Sequence, residues 1–306
     1  MDAIVSDISP AAAHRDAGSQ LSALVPDRLY ALHNTMVLDG RVAAYPASAR
    51  GFAPVNCYIL KEPDGAMMLD TGFTAHRAAI LRDVEAVIGR DAMLSLFPLR
   101  MNEFMSLANV MALAAKFPVD RCISVLKDAA YHVDLESLSP GDIKTAADGL
   151  KTLLIAGNEW LTVGPSQRRR IKLFQSPVRL IATRWVFDPE TYTLFTSDMF
   201  TGTWSDRADA AWVIDEGNDN VTMQDVRSFL LNTRYWWLEG AKTDGLRQSL
   251  AELYAQCDIR RIAPGYGKIL EGASVVARHF GLLDEALASL DRSHMPSRYI
   301  SRDEER

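Results

Sequence analysis

The chain has 306 residues, 33 basic against 39 acidic side chains, a net charge of −6 and 48% hydrophobic residues. That balance gives no basic field for nucleic acid or an anionic membrane, and no apolar run approaches the length of a membrane span. Cys57, Cys122 and Cys257 form no CxxC pair and no disulfide framework, so a reducing, cytoplasmic setting is expected.

Residues 1–26 carry scattered Ala, Ser, Asp and Pro without a strong period and read as a loose arm; no signal peptide is legible in them. Order begins with an alternating strand, Arg28–Leu32, and the Gly-, Ala- and Pro-rich stretch Asp39–Pro54 reads as a loop across the mouth of a site. Cys57–Leu60 and Ala66–Leu69 read as a hairpin, since Pro63 presets one turn dihedral and Gly65 tolerates a positive φ. Asp70-Thr71-Gly72 follows, with Thr74 as cap of a helix over Ala75–Ile88. A carboxylate at a strand end before a helix points into the mouth of an α/β layer, and it equally serves to fix the turn through backbone amides.

Met93–Leu99 reads as a buried strand, Leu107–Lys116 as a helix capped by Ser106 and closed by Pro118, and Cys122–Leu126 as a strand. Lys127–Leu154 is helical by composition, ending in a segment Ile143–Leu154. From Trp160 the period becomes two: Ile171–Phe174, Val178–Ile181, Trp185–Phe187 and Thr193–Thr196 read as strands, with a turn at Asp188–Thr191. Asp198 stands just past a strand end, as Asp70 does. Helices follow at Met223–Gly240 and Leu246–Gln256, a strand at Ile259–Ala263 and a helix at Ser274–Leu290, before a charged tail, 291–306. Strands with interspersed helices, then strands, then helices suit two packed sheets covered by helices: one α/β (α+β) domain over 27–290.

Four strand-end phrases, LDTG at 69–72, FPLRMNEFMS at 97–106, LFTSDMF at 194–200 and IAPGYGKI at 262–269, together with NCYIL at 56–60, resemble the metallo-β-lactamase superfamily. The resemblance is nearest to the lactamase-like domain of flavodiiron and oxygen-binding diiron proteins, and implies an αββα sandwich. The length leaves no room for a flavodoxin domain, and there is no phosphate loop with lysine. On the family's pattern of metal ligands this chain offers Arg100, Asn102, Phe104 and Met105, then a position near Arg179, and finally Tyr266; only Asp198, the family's bridging carboxylate, matches. Guanidinium stays protonated and Phe has no donor atom, so no tightly bound di-metal centre is expected, and the residues name no other cofactor.

An Asp198 that no metal neutralises needs a cation. The resemblance offers Arg100 and Arg179, with Arg184 as a third, either as a structural salt bridge or as surplus charge that binds a small polar or anionic molecule. In the second case Asp198, Tyr266 and Arg100 are the expected catalytic residues. Arg179, Asn102, Phe104, Lys268 and His33 are then the expected ligand contacts, with Asp70 structural at the site. Trp204 and Trp185 are aromatic candidates near the mouth, while the pair Trp236-Trp237 suits core or the surface of a homodimer. His76 is a further candidate for lining the site. The function expected is a metal-independent or unusual-cofactor enzyme acting on a small molecule. Two alternatives stand beside it: a non-catalytic small-molecule or oxygen/redox sensor, and a metallohydrolase or diiron oxidoreductase with non-standard ligands.

Overall fold

The computed structural model describes residues 18–126 and 150–291. The first sheet runs in the order β1 (Ser19–Val25), β2 (Leu29–Leu38), β3 (Gly51–Glu62), β4 (Gly65–Leu69), β5 (Met93–Phe97), β6 (Val119–Ser124), β7 (Thr152–Leu154). Pairing is antiparallel from β1 to β4 and parallel from β4 to β7. The second sheet contains β8 (Trp160–Val163), β9 (Arg169–Gln175), β10 (Arg184–Asp188), β11 (Thr193–Ser197), β12 (Val213–Ile214), β13 (Arg261–Pro264) and β14 (Ile269–Glu271). Its order is β12-β14-β13-β11-β10-β9-β8, with β11 and β13 parallel.

Strand periodicity explains the layers. In β3 and β4, Tyr58, Leu60, Met67 and Leu69 face the second sheet, where they meet Ile171, Leu173, Val186 and Phe195. Their neighbours Cys57, Ile59, Ala66 and Met68 face outward onto Ile80, Val84, Val110 and Leu113 of α1 (Arg77–Ile88) and α3 (Val110–Lys116). The far side of the second sheet, with Trp185, Phe187 and Leu194, packs on α4 (Met223–Leu231), α5 (Asp244–Gln256) and α6 (Ala273–Leu290). Both faces of these strands are covered, which is why they read as continuous apolar runs without polar alternation. The result is the expected αββα sandwich.

Several local expectations change. Ser19–Val25, read as part of the loose arm, is the edge strand β1: it pairs with β2, and the Ser19 hydroxyl donates to Asp83 at 2.9 Å. Gly51–Pro54 belongs to β3 rather than to the preceding loop. The helix expected from Leu107 is split into α2 (Phe104–Leu107) and α3, with Ser106 inside α2 instead of capping. Thr152–Leu154 is a strand where a helix end was expected, because the edge of β6 is open to parallel pairing there; the rest of that helix, within 127–149, lies outside the described residues. Val178–Ile181 is a bend. The Ser176 hydroxyl donates to the Val178 carbonyl at 2.7 Å and Arg179 donates to the Ser176 carbonyl at 2.6 Å, a local closure around Pro177 that competes with strand pairing. The helix read over Met223–Gly240 stops at Leu231, beyond a Thr222/Asp225 capping box at its start, and the chain turns before a short 3-10 turn at Trp236–Leu238.

Candidate functional site

The parallel pairs β4–β5 and β11–β13 bring their C-terminal ends to one end of the sandwich. Three short bridges close that end: Val55 with Tyr266, Arg100 with Thr183, and Phe52 with Ser205. Asp70 and Ser197 hold left-handed backbone there, at φ 57° and 56°, as does Asn102 at 73°. Such conformations persist in non-glycine residues only where the surroundings fix them. Asp70 is fixed through its carboxylate, which accepts the Leu99 amide at 2.8 Å and so joins the ends of β4 and β5. Burial raises its pKa to about 6, against the opposing pull of Arg100 and its hydrogen bonds.

Asp198 lies one residue beyond β11, buried. Arg100 donates from Nη1 to its Oδ1, and Arg234 donates from Nη2 to the same oxygen at 3.0 Å. Arg100 is wholly buried, whereas the Arg234 side chain is 21% exposed. Both guanidinia lie over the ring of Tyr266, with Cζ 5.5 Å and 6.0 Å from its centroid. Desolvation would lower the Arg100 pKa, but the carboxylate charges of Asp198 and Glu103 outweigh it and leave it raised. Tyr266 is itself pushed up to about 12 by burial, so its phenol stays protonated at neutral pH. Glu103 completes the cluster. It accepts from the Tyr266 hydroxyl at 3.5 Å and from Arg234 Nη1 at 3.4 Å, and lies 3.8 Å from Arg100 Nη1.

Several buried polar atoms around Asp198 have no hydrogen-bond partner: Nε and Nη2 of Arg100, the Ser197 hydroxyl and the Tyr235 hydroxyl. Tyr235 belongs to the same electrostatic unit. Burial raises its pKa, and Asp198 is the strongest neighbouring charge acting on it.

No family model matches the sequence, and no curated protein matches it. Solved structures do. Rubredoxin oxygen:oxidoreductase from Desulfovibrio gigas superposes with a TM-score of 0.63 at 14% identity, over 88% of this chain and 62% of that one. The flavodiiron protein from Giardia intestinalis gives 0.62 at 14%, over 88% and 60%. A fragment of a putative diflavin flavoprotein from Nostoc gives 0.62 at 15%, over 88% of this chain and 96% of the fragment. The fold is that of the lactamase-like core of the flavodiiron proteins. This chain spans about three fifths of the length of the first two relatives.

A flavodiiron core implies a pair of metal ions, and the donor set here does not suit one. Two guanidinium groups occupy the space around Asp198, and cations repel metal rather than bind it. Among the described residues, no group of three or more His, Cys, Asp or Glu side chains is placed to hold a metal ion.

Of the residues singled out from the sequence, Arg100, Asp198 and Tyr266 come together, with Asp70 beneath them. Met105 is buried in packing, and its carbonyl accepts a hydrogen bond from the Gly72 amide. Phe104 is 64% exposed at the rim and Asn102 is exposed. Others go elsewhere. Arg179 is exposed and turns back on Ser176, a consequence of the bend that replaces its expected strand. Arg184 donates to the Ala156 carbonyl at 3.3 Å, its pKa lowered by burial and by Arg179. Lys268 lines a separate depression of about 350 Å³ beside Trp204, Asn218 and Ser228.

His33 bonds through Nδ1 to Asn56 at 2.8 Å, and burial lowers its pKa to about 4. Asn56 in turn donates to the carbonyls of Pro264 and Gly267, at 2.9 Å each. His33 therefore acts one step behind the loop that carries Tyr266. His76 is buried at the foot of α1, and Trp185 is core.

Arg234, Glu103 and Tyr235 join the site without having been expected there from the sequence. Glu103 sits inside the run aligned on the family's ligands, so an acidic residue there was a usable signal. Arg234 had only a weak one, a lone cation in the aromatic stretch Thr233–Leu238. The pair of guanidinia is balanced by the pair Asp198 and Glu103, which corrects the expectation of surplus positive charge.

Proposed function

We propose that this chain binds a small anionic organic molecule at the Arg100–Asp198–Arg234 cluster without a metal ion. The observation that carries the reading is the free edge of Arg100. Its Nε and Nη2 are the two parallel donors that engage a planar oxyanion side-on, and they are buried without a partner. An unsatisfied buried donor costs about 1–3 kcal/mol, more when charged, so an acceptor at this edge is strongly favoured. The buried Ser197 and Tyr235 hydroxyls and the protonated Tyr266 phenol supply further donors. Asp198 serves here as the fixed counter-charge that holds both guanidinia in place.

The reading is tested by melting shifts of metal-depleted protein against a panel of small carboxylates, phosphate and neutral isosteres, repeated on Arg100→Met. A stabilisation confined to anions and lost in the variant is expected. Equal shifts from the neutral isosteres would overturn it.

An enzymatic version is favoured by one observation, the neutral Tyr266 phenol next to two guanidinia, an arrangement that can polarise a carbonyl or donate a proton. Product analysis on any molecule that binds separates an enzyme from a sensor. We also propose a cytoplasmic homodimer. The cysteines are buried and unpaired, and Trp236, exposed at 67%, and Trp237 supply apolar surface beside the site. Among the described residues no helix is long and apolar enough to cross a membrane.

A further inference from the structure

Glu103 is held loosely by the groups that would receive an anion. Its Oε1 is 3.5 Å from the Tyr266 hydroxyl, 3.4 Å from Arg234 Nη1 and 3.8 Å from Arg100 Nη1, and its Oε2 is 3.4 Å from Arg234 Nη1. Charge-assisted hydrogen bonds close to about 2.7–2.9 Å when nothing restrains them. The same Arg234 reaches Asp198 at 3.0 Å, so the slack belongs to Glu103 and not to the guanidinium.

The backbone supplies the restraint. Glu103 is the extended residue that opens α2, its carbonyl accepts the Ser106 amide at 3.0 Å, and the left-handed Asn102 precedes it. Tethered there, its short side chain spans the two guanidinia without closing on either. It is also 24% exposed, unlike Arg100 and Asp198.

We infer that Glu103 is an internal stand-in for the carboxylate of the ligand, and that the ligand is a small aromatic monocarboxylate that binds by displacing it. The inference rests on the anion-binding reading above and adds to it the ligand class and the competitor. Charge favours a monocarboxylate. Exchanging one carboxylate for another keeps two guanidinia against two carboxylates, whereas a dianion would leave excess negative charge beside Asp198 and Asp70. A free carboxylate can also take the Nε–Nη2 edge of Arg100, which Glu103 does not reach. Phe104 follows Glu103 directly and is largely exposed, suiting a flat apolar body at the rim.

The test is titration calorimetry of the full chain with benzoate, benzamide and inorganic phosphate, on the parent, Glu103→Gln, Glu103→Ala and Arg234→Gln, each first shown by circular dichroism to be folded. Removing a like charge from the receiving position should tighten benzoate about tenfold or more in both Glu103 variants. Benzamide should gain nothing, phosphate should gain less than benzoate, and Arg234→Gln should weaken benzoate. Parent and Glu103 variants that bind benzoate equally would overturn the stand-in while leaving anion binding intact. A phosphate gain as large as that of benzoate would overturn the carboxylate class. No binding of benzoate or phosphate to any of the proteins would overturn the anion-binding reading, and this inference with it.

Discussion

Replacing Arg100 by Met tests whether guanidinium charge holds the centre of this site together. Arg100 is wholly buried and Asp198 nearly so, and removing one partner of such a pair typically costs about 3–5 kcal/mol. Arg234 remains on the same carboxylate oxygen at 3.0 Å, so the lower end, about 3 kcal/mol, is expected for Arg100→Met. The partly exposed Arg234 should cost less on replacement by Met, about 1–2 kcal/mol. Asp198→Asn keeps an acceptor but strands two cations, and should fall between them. The double variant Arg100→Met/Asp198→Asn should be less destabilised than the sum of its singles by more than about 0.5 kcal/mol, the usual limit for independent sites. The assay is urea unfolding followed by tryptophan fluorescence near pH 7. Singles that unfold with the parent, together with a double variant that adds simply, would refute the view that these charges depend on one another.

Elemental analysis of dialysed protein should find iron, zinc and manganese well below one ion per chain; near-stoichiometric metal lost on Asp198→Ala would show that the carboxylates ligate after all. His33 has a folded pKa of about 4 against an ordinary 6.5, so its contribution is complete above 6.5 and falls away towards 4, by about 3 kcal/mol in all. His33→Gln should therefore flatten the loss of melting temperature over that window. Asp70 is shifted the other way, to about 6, so its ionisation penalty is full above 6 and relieved towards 3.8, and Asp70→Asn should gain stability relative to the parent at pH 7.5 and lose that advantage by pH 4. Light scattering should report a dimer, with Trp236→Ser shifting it towards monomer; a monomeric parent at all concentrations would count against the proposed pairing.

The strand-end phrases carried the fold because they are short-range features. The Asp-Thr-Gly turn, the Pro63-Asp64 hairpin turn, in which Gly65 already pairs with Glu62 as strand instead of holding a positive φ, and the apolar runs of β3, β4 and β11 each have a local cause, and their order along the chain restricts the topology. Where a local cause competed with pairing, reading by period failed. Val178–Ile181 alternates like a strand, yet the Ser176 and Arg179 side chains close it into a bend. That bend removed Arg179 from the site. Arg234 enters by the opposite route: it follows α4 in an irregular turn, 36 positions from Asp198, and no spacing rule links the two. Arg100 was legible because it occupies a strand-end position, and strand ends are the part of this architecture that sequence order determines.

Two guanidinia supply half the charge of two divalent ions and none of their coordination. A metal ion takes a preferred number of donors, and gains a ligand by shedding a water. Arginine brings a fixed set of N–H directions, and each carries its own requirement for an acceptor. Around Asp198, Nη1 of Arg100 and Nη2 of Arg234 are satisfied by one oxygen, and Nη1 of Arg234 faces Glu103, while Nε and Nη2 of Arg100 are left over. The remaining demand is thus directional, planar and negative in preference. Overall charge is already balanced by Glu103, so the demand cannot be met by simply adding an anion beside Asp198, Glu103 and Asp70. An acceptor must arrive as another leaves. Of the three carboxylates Glu103 is by far the most exposed, and for that reason the proposed exchange at this site runs through it.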